Sequence, residues 1–238
     1  GMNILLDVLA YNTHYLGFNA NMLANEMFLD SASLRSSIVS HSKTLGYVPT
    51  SARAAKATVD VTLNTNETTI TMSAGTVFNT TVDGVSYKFS TITDITKSNT
   101  GGGIPFLNTD IYEGTFITTR YTVNTSDIDQ RFLLTDNRAD TSTLTVKVQT
   151  SSTDTTSTTY TEATDITQVT ASSAVYFLQE VEAGLYEIYF GDGVIGQALS
   201  DDNIVILTYI VSNKSAANGA ALFTNAAVIG GVSDVAVA

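Results

Sequence analysis

YFLQEVEAGLYEIYFGDGVIGQALSDDNIVILTYIVSNKSAANG, residues 176–219, has the densest apolar patterning in this chain of 238 residues. Residues 185–190 form a short aromatic and β-branched run, and residues 204–211 are typical of a buried strand. Gly191, Asp192 and Gly193 follow the first run. Asp-Gly between apolar runs is a strong hairpin signal, because the turn positions can require a positive φ. The stretch therefore predicts a β-hairpin in which these three residues form a structural turn.

The same glycines also match a pattern found in nucleotide-binding proteins. Gly191, Gly193 and Gly196 follow a predicted strand with the G-x-G-x-x-G spacing of a dinucleotide-binding loop. That loop must open a helix whose N-terminus faces the pyrophosphate, followed by a crossover of about ten residues or more. The few residues between Gly196 and the strand at 204–211 leave no room for it. The pattern favours the hairpin, and we predict no bound cofactor.

Composition narrows the class of protein. With 43% hydrophobic and 14% charged residues, the chain can bury a sizeable core and is not a disordered tail. A net charge of −12, with only 11 scattered Lys and Arg residues, argues against binding to a nucleic-acid backbone. The absence of cysteine excludes disulfides, Cys-ligated zinc and thiol catalysis. No apolar run reaches the roughly 18 to 20 residues of a membrane span, so we expect no membrane partner.

The amino-terminal segment predicts a long amphipathic helix over residues 3–29. Its apolar residues recur every three or four positions and make an unusually broad face. This helix either packs on the chain's own β region or contacts other subunits, and its length favours the second alternative. The residues that we expect to contact a partner are Leu5, Val8, Tyr11, Tyr15, Phe18 and Met22.

A second, shorter helix is predicted to follow. Asp30 and Ser31 interrupt the first helix and can cap the second through their side-chain oxygens. Gly46 provides a C-terminal stop, and Pro49 prevents the helix from continuing. Residues 1–48 are therefore predicted to form a helical arm.

From about residue 49 the pattern changes to strands. Residues 58–63 and 69–72 alternate with a period of two, and Asp83-Gly84 marks a hairpin turn. Residues 149–165 are rich in Ser, Thr and Asp, with Tyr160 as the one large side chain, and indicate a surface excursion or an edge hairpin. Residues 220–238 are weakly apolar, and we expect a strand there whose partner lies outside this sequence.

Candidate chemistry is sparse. His14 and His41 both fall on predicted helices without metal-ligand spacing, so we predict no zinc site. Asp192, Asp201 and Asp202 could ligate calcium, but all three occupy turns, where Asp is common for conformational reasons. The pair of catalytic carboxylates of a glycosidase could be sought among Glu180, Glu182 and Glu187, near the predicted hairpin. Nothing in the sequence, however, indicates that any of these three residues is buried. We therefore predict no catalytic residues, no metal and no enzyme activity.

Two groups of segments carry a resemblance to known proteins. Residues 186–196, YEIYFGDGVIG, followed by the strand at 204–211 and by Ala217-Asn218-Gly219, resemble a segment of the baseplate J-like family of contractile-tail bacteriophages. Residues 3–12, NILLDVLAYN, and 24–31, ANEMFLDS, resemble the helical arm in the amino-terminal portion of the T-even-type wedge subunits of that family. The family has sequence on both sides of this stretch, so the chain is expected to be an amino-terminal fragment or a shortened relative.

The helical and strand patterns predict an α+β fold, a helical arm followed by a mostly antiparallel β region at 49–238, with an inserted β subdomain near 120–170. The resemblance implies the function, a structural subunit of the virion tail baseplate, assembled in the host cytoplasm, that joins wedges into a ring. The expected partners are other wedge proteins and further copies of the chain. The alternative is a β-rich tail-fibre or adhesin-like module that binds carbohydrate, for which the arm would have no use.

Overall fold

A computed structural model describes residues 1–127, 130–225 and 228–238. The chain divides into two compact units. The first contains Gly1–Pro49 together with Gln179–Ala183, and the second contains Thr50–Leu178 and Gly184–Ala238. The α+β fold predicted from the sequence is confirmed, with a helical arm followed by mostly antiparallel strands.

Two helices dominate the first unit. Helix α1 spans Met2–Glu26 and helix α2 spans Arg35–Thr44. The chain leaves α2 through Gly46, which has a φ of +74° and so takes the left-handed conformation that closes many helices. In the same unit, Arg35 donates two hydrogen bonds to the buried carboxylate of Glu180, at 3.1 and 2.7 Å.

The start of α2 is held by a residue other than those predicted. The carboxylate of Glu26 accepts hydrogen bonds from the backbone N–H of Ser33 at 2.9 Å and of Leu34 at 3.2 Å, and from the Ser33 hydroxyl at 2.7 Å. The ring Nε2 of His41 donates to the Glu26 carbonyl at 2.9 Å. The prediction that Asp30 or Ser31 caps α2 is wrong, because the last residue of α1 reaches across the turn to satisfy those donors.

Glu26 gives a pH prediction for this turn. Hydrogen bonds from Ser33 and then Ser37 lower the pKa of Glu26 from 4.5 to about 2. Because the folded pKa is the lower one, the ionised carboxylate stabilises the turn fully above pH 4.5, and this contribution is lost as the pH falls through about 2. We expect an NMR titration of the Glu26 carboxyl to give a midpoint near pH 2. Ser33→Ala should move that midpoint upward and Ser36→Ala, at an exposed position, should not. A Glu26 midpoint near 4.5 in the unaltered chain would contradict the capping role.

The second unit contains fourteen strands among its described residues, although the last two residues of β11 (Val175–Glu180) are assigned to the first unit. They are β1 (Lys56–Leu63), β2 (Thr69–Met72), β3 (Val77–Val82), β4 (Val85–Ser90), β5 (Ile95–Ser98), β6 (Ile104–Glu113), β7 (Thr115–Thr122), β8 (Phe132–Leu133), β9 (Ala139–Gln149), β10 (Ser157–Glu162), β11 (Val175–Glu180), β12 (Tyr186–Phe190), β13 (Ile204–Val211) and β14 (Val235–Val237).

These strands form two curled sheets and a ribbon. A five-stranded sheet has the order β14-β1-β6-β4-β3, and a seven-stranded sheet has the order β7-β13-β9-β10-β11-β12-β8. Strands β2 and β5 pair as a separate ribbon. Among the pairings described, only β10 with β11 is parallel. Every strand of the seven-stranded sheet lies within residues 115–211, whereas the five-stranded sheet is made from the flanking sequence.

Each curled sheet covers a hydrophobic cluster of its own. The seven-stranded sheet buries, among others, Leu134, Ile188 and Leu207. The five-stranded sheet and the ribbon bury Met72 and Phe106 among others. The alternation of buried and exposed residues along β1 and β2 follows the pleat, which is why the period of two in the sequence identified these two strands correctly.

Three expectations about strand pairing are corrected. The predicted hairpin between residues 185–190 and 204–211 is wrong, because β9, β10 and β11 separate β12 from β13 in the sheet. The Ser- and Thr-rich segment is not an edge hairpin, since β10 pairs with β9 on one side and β11 on the other and Tyr160 is buried, although residues 152–159 are exposed, in agreement with the surface excursion that was the other alternative. The carboxy-terminal strand finds its partner inside the chain, where β14 pairs with β1. The hairpin at Asp83-Gly84 is confirmed, with Val82 opposite Val85.

Strand β3 carries a buried hydroxyl that provides a stability prediction. Thr80 is buried, and its Oγ1 has no hydrogen-bond partner among the described residues. A buried polar group without a partner costs about 1–3 kcal/mol, and valine has nearly the same shape without the hydroxyl. We expect Thr80→Val to raise the free energy of unfolding by about 1 kcal/mol, or the melting temperature by about 2–4 °C. Thr81→Val on the exposed face is the control and should give no such gain. A melting temperature lowered by Thr80→Val would contradict the assignment.

Candidate functional site

The most unusual surface of the chain is helix α1. None of its 25 residues is buried. The six residues predicted to contact a partner all lie on this helix, and their exposed fractions range from 45% at Met22 to 67% at Leu5. Further exposed apolar residues on the helix are Met2, Ile4, Leu6, Leu9, Leu16 and Leu23. Side chains of this size are normally covered in a folded protein.

The helix has a sidedness that the sequence spacing explains. Residues three, four or seven positions apart share a helix face. By that rule Val8, Tyr11, Tyr15, Phe18 and Met22 lie along one face, and the rings of Tyr11 and Tyr15 have centroids 5.6 Å apart. A narrow stripe of polar residues lies along one border of this face: Asn3, Asp7, His14, Asn21 and Asn25. We call the first set the apolar face of α1 and the second its polar stripe.

Charge and size also characterise this surface. Helix α1 contains no Lys or Arg, and Asp7 and Glu26 are its only acidic residues. Burying one large apolar side chain is worth about 1.5–3 kcal/mol, so covering the apolar face would contribute on the order of 10 kcal/mol before entropic costs. In the described part of the chain, no helix combines the length and the apolar character needed to cross a membrane. The chemistry of the surface suits a protein partner with an apolar face of its own.

The loop after β12 is built around its glycines. Gly193 has a φ of +86°, and a Cβ on Gly191 would overlap the backbone of Ile195 and Gly196. The Asp192 carboxylate accepts hydrogen bonds from the N–H groups of Val194 and Ile195, at 2.9 and 3.0 Å. These bonds, with that from Ile195 the largest cause, hold the pKa of Asp192 below its usual range. Residues 191–203, all described, contain no helix, so no helix N-terminus faces the glycines.

The predicted acidic residues do not form one site. Arg131 donates to Glu187 from Nε at 2.6 Å and from Nη2 at 2.9 Å, and Arg35 binds Glu180 in the same bidentate way. Both carboxylates are therefore held in ion pairs, whereas Glu182 is exposed. The burial of Glu180 and Glu187 could not be predicted from neighbouring residues, because their ion-pair partners lie 145 and 56 positions away in the sequence.

The aspartates considered as calcium ligands also have structural roles in turns. Asp201 accepts hydrogen bonds from the N–H and hydroxyl of Thr125, and Asp202 has a positive φ of 61°. Over the described ranges, no three His, Cys, Asp or Glu residues are grouped so that they could hold a metal ion.

A junction between the two curled sheets was not recognised from the sequence as a site. The chain passes from β6 to β7 at Gly114, where a φ of +129° is required. The preceding residue, Glu113, is buried, and its carboxylate accepts hydrogen bonds from the backbone and side-chain N–H groups of Asn213, both at 2.8 Å. Asn213 lies just beyond β13, so one carboxylate ties together two points at which the chain passes between the sheets. Glu113 followed by Gly114 was the sequence signal available for this junction, but Asn213, the partner of Glu113, lies 100 residues away.

Two family models match the chain. Residues 1–47 match "Baseplate wedge protein gp6-like, helical domain", and residues 117–222 match "Bacteriophage baseplate wedge protein gp6, third domain". The first match contains α1 and α2, and the second contains most of the seven-stranded sheet. Both models describe domains of gp6-like baseplate wedge proteins, so over residues 1–47 and 117–222 the chain is similar to a T4-like wedge subunit, a structural protein of the bacteriophage tail baseplate.

A particular relative supports the same assignment. The chain is 26% identical over 245 residues to baseplate wedge protein gp6 of Enterobacteria phage T4. The similarity covers 94% of this chain and 36% of the T4 protein, so the chain spans about a third of the length of that relative. The resemblance to T-even-type wedge subunits, stated from the sequence, is confirmed.

Proposed function

We propose that the chain joins neighbouring wedges of a contractile-tail baseplate into a ring through protein–protein contacts. The observation that carries this proposal is the apolar face of α1, which no residue of the described chain buries. Ring assembly requires large complementary surfaces, and a helix that is apolar over most of its circumference supplies one.

The partners of this surface are other wedge proteins and further copies of the chain. The contact residues are Leu5, Val8, Tyr11, Tyr15, Phe18 and Met22. They lie within the segment that matches the gp6-like helical domain, which supports an assembly role for them. Because α1 is without basic residues, its partner surface is expected to be apolar rather than acidic.

The remaining parts of the chain serve as a scaffold. Residues 1–48 act as the arm, and the β region from 49 to 238 contains an inserted subdomain, which we associate with the seven-stranded sheet of residues 115–211. Gly191, Asp192 and Gly193 have a structural role in this scaffold. We assign the chain no enzyme activity, and ion pairs at Glu180 and Glu187 support that assignment. Neither nucleic acid nor membrane is a partner, and assembly takes place in the host cytoplasm.

The proposal is tested by locating the chain in the virion. Purified tails carrying an epitope-tagged chain should bind gold-labelled antibody at the baseplate and nowhere else along the tail. Tails assembled with Tyr15→Asp and Phe18→Asp together should contain incomplete baseplate rings in electron micrographs. Labelling of the fibres without labelling of the baseplate would favour the carbohydrate-binding alternative, and complete rings in the double variant would contradict the role of the arm.

A further inference from the structure

The seven-stranded sheet ends on one side in a long strand with a free edge. Strand β7 occupies this position and pairs with β13 along all eight of its residues without a register shift. The strand at the other end of this sheet, β8, has only two residues. In the five-stranded sheet, β14 has three residues, and the edge of β3 is partly covered by the bridge from Asn79 to Thr224. Among the described sheets, β7 is thus the longest uncovered terminal strand.

The pairing register shows which backbone groups of β7 point away from the sheet. The N–H of Val123 donates to the carbonyl of Asn203 on the β13 side, at 2.8 Å. In an antiparallel pair this direction alternates from residue to residue, so the N–H groups of Thr118, Arg120 and Thr122 point to the free edge. The carbonyl of Thr122 accepts a hydrogen bond from the Gln130 side chain. Within the described residues, the outward groups of Thr118 and Arg120 have no backbone partner.

Most of the usual features that protect an edge strand are absent from β7, and Arg120 is its one charged side chain. Strand β7, with the sequence TFITTRYT, contains no proline, no lysine and no bulge. Its side chains alternate, because Ile117 and Tyr121 pack against the core while Thr118, Arg120 and Thr122 are exposed. An added strand would therefore place alternate side chains beside Ile117 and Tyr121, and the others beside threonine and arginine.

Charge indicates what kind of segment fits this edge. No carboxylate of the described residues lies within ion-pair distance of Arg120, whereas Arg35, Arg131 and Arg138 each pair with an acidic residue. Opposite charges facing each other across two strands stabilise their pairing. A second copy of β7 cannot provide the missing charge, because the strand contains no Asp or Glu.

We propose that the outer edge of β7 binds an extended polypeptide segment by strand addition, and that this segment has apolar residues at alternate positions and a carboxylate facing Arg120. The main-chain hydrogen bonds to Thr118 and Arg120 provide the affinity, and the carboxylate sets the preference among segments. This surface is separate from α1, and its test does not depend on whether the arm acts in ring assembly.

The test uses the full chain and two fluorescent eight-residue peptides. Both alternate valine with threonine, and one has a central glutamate where the other has lysine. Fluorescence anisotropy should show binding of the glutamate peptide and a weaker affinity, by about two- to fivefold, for the lysine peptide. Arg120→Glu should reverse that preference. Hydrogen–deuterium exchange at the amides of Thr118 and Arg120 should slow when the glutamate peptide is added.

Proline substitutions give a matched pair of variants. Thr118→Pro removes an N–H that points to the free edge, so it should lower the peptide affinity about tenfold or more and leave the melting temperature unchanged. Thr119→Pro removes an N–H that donates to β13 and should lower the melting temperature. The proposal fails if the glutamate peptide does not bind or if the two amides are not protected. It also fails if the unaltered chain forms a dimer that Thr118→Pro dissociates, because the occupant of the β7 edge would then be a second copy of the chain and not an acidic segment of a partner.

Discussion

Replacing Gly114 by alanine is expected to destabilise the β unit by about 3 kcal/mol or more, a large share of the roughly 5–15 kcal/mol of a typical domain. The φ of +129° at this position is strained for any residue with a side chain, at a cost of about 1–3 kcal/mol. A Cβ at this position would also lie 2.7 Å from Cγ2 of Ile210 and closer still to the carbonyl oxygen of Val211. Relieving that overlap requires the passage between β6 and β7 to move away from β13, which adds to the cost.

Gly102→Ala is the matched control for this prediction. No atom lies within 4 Å of the position that its Cβ would occupy, and its φ is outside the strained region. Urea unfolding followed by circular dichroism should therefore give a wild-type midpoint for Gly102→Ala and a much lower one for Gly114→Ala. Equal midpoints for the two variants would show that the junction between the sheets tolerates a side chain, contrary to the geometry.

Placing two aspartates on the apolar face of α1 is expected to abolish association of the chain. Tyr15→Asp and Phe18→Asp introduce charges at positions that are 53% and 57% exposed. Because neither side chain is buried within the chain, the monomer should retain its stability. In an assembled helix pair, each charge would be placed in an apolar interface without a partner, at a cost of several kcal/mol.

The side of α1 opposite the apolar face provides the control for that prediction. Thr13→Asp and Ala20→Asp add two aspartates to the same helix at exposed positions that lie away from Tyr15 and Phe18. Gel filtration should show that this double variant associates like the unaltered chain and that the double variant of the apolar face does not. If both variants associate equally well, the apolar face is not the contact surface.

Local features of this fold were predictable from the sequence. The recurrence of apolar residues every three or four positions identified α1, and Asp83-Gly84 identified the hairpin between β3 and β4 because a turn with positive φ is encoded by adjacent residues. The positive φ of Gly193 also agrees with the turn signal. What failed was the pairing inferred from that turn, since β12 pairs with β8, whose Leu133 lies opposite Glu187.

Interactions between distant residues could not be predicted in the same way. Glu26 caps α2 from seven residues before Ser33, outside the spacing of ordinary capping motifs. Strand β10 contributes only Tyr160 to the buried core, so its central place in the sheet depends on neighbours on both sides and not on its own hydrophobicity. The tie between Glu113 and Asn213 is likewise visible only once the two sheets have formed.

The central claim, that the apolar face of α1 joins this chain to its partners, is tested most directly by sedimentation velocity. The full chain would be measured alone and mixed with the other wedge proteins of the same phage, in parallel with the double variant Tyr15→Asp, Phe18→Asp. We expect the unaltered chain to sediment in a complex in at least one of these mixtures, and the variant to sediment as a folded monomer in all of them. An unaltered chain that stays monomeric throughout, or a variant that enters the same complexes, would contradict the claim.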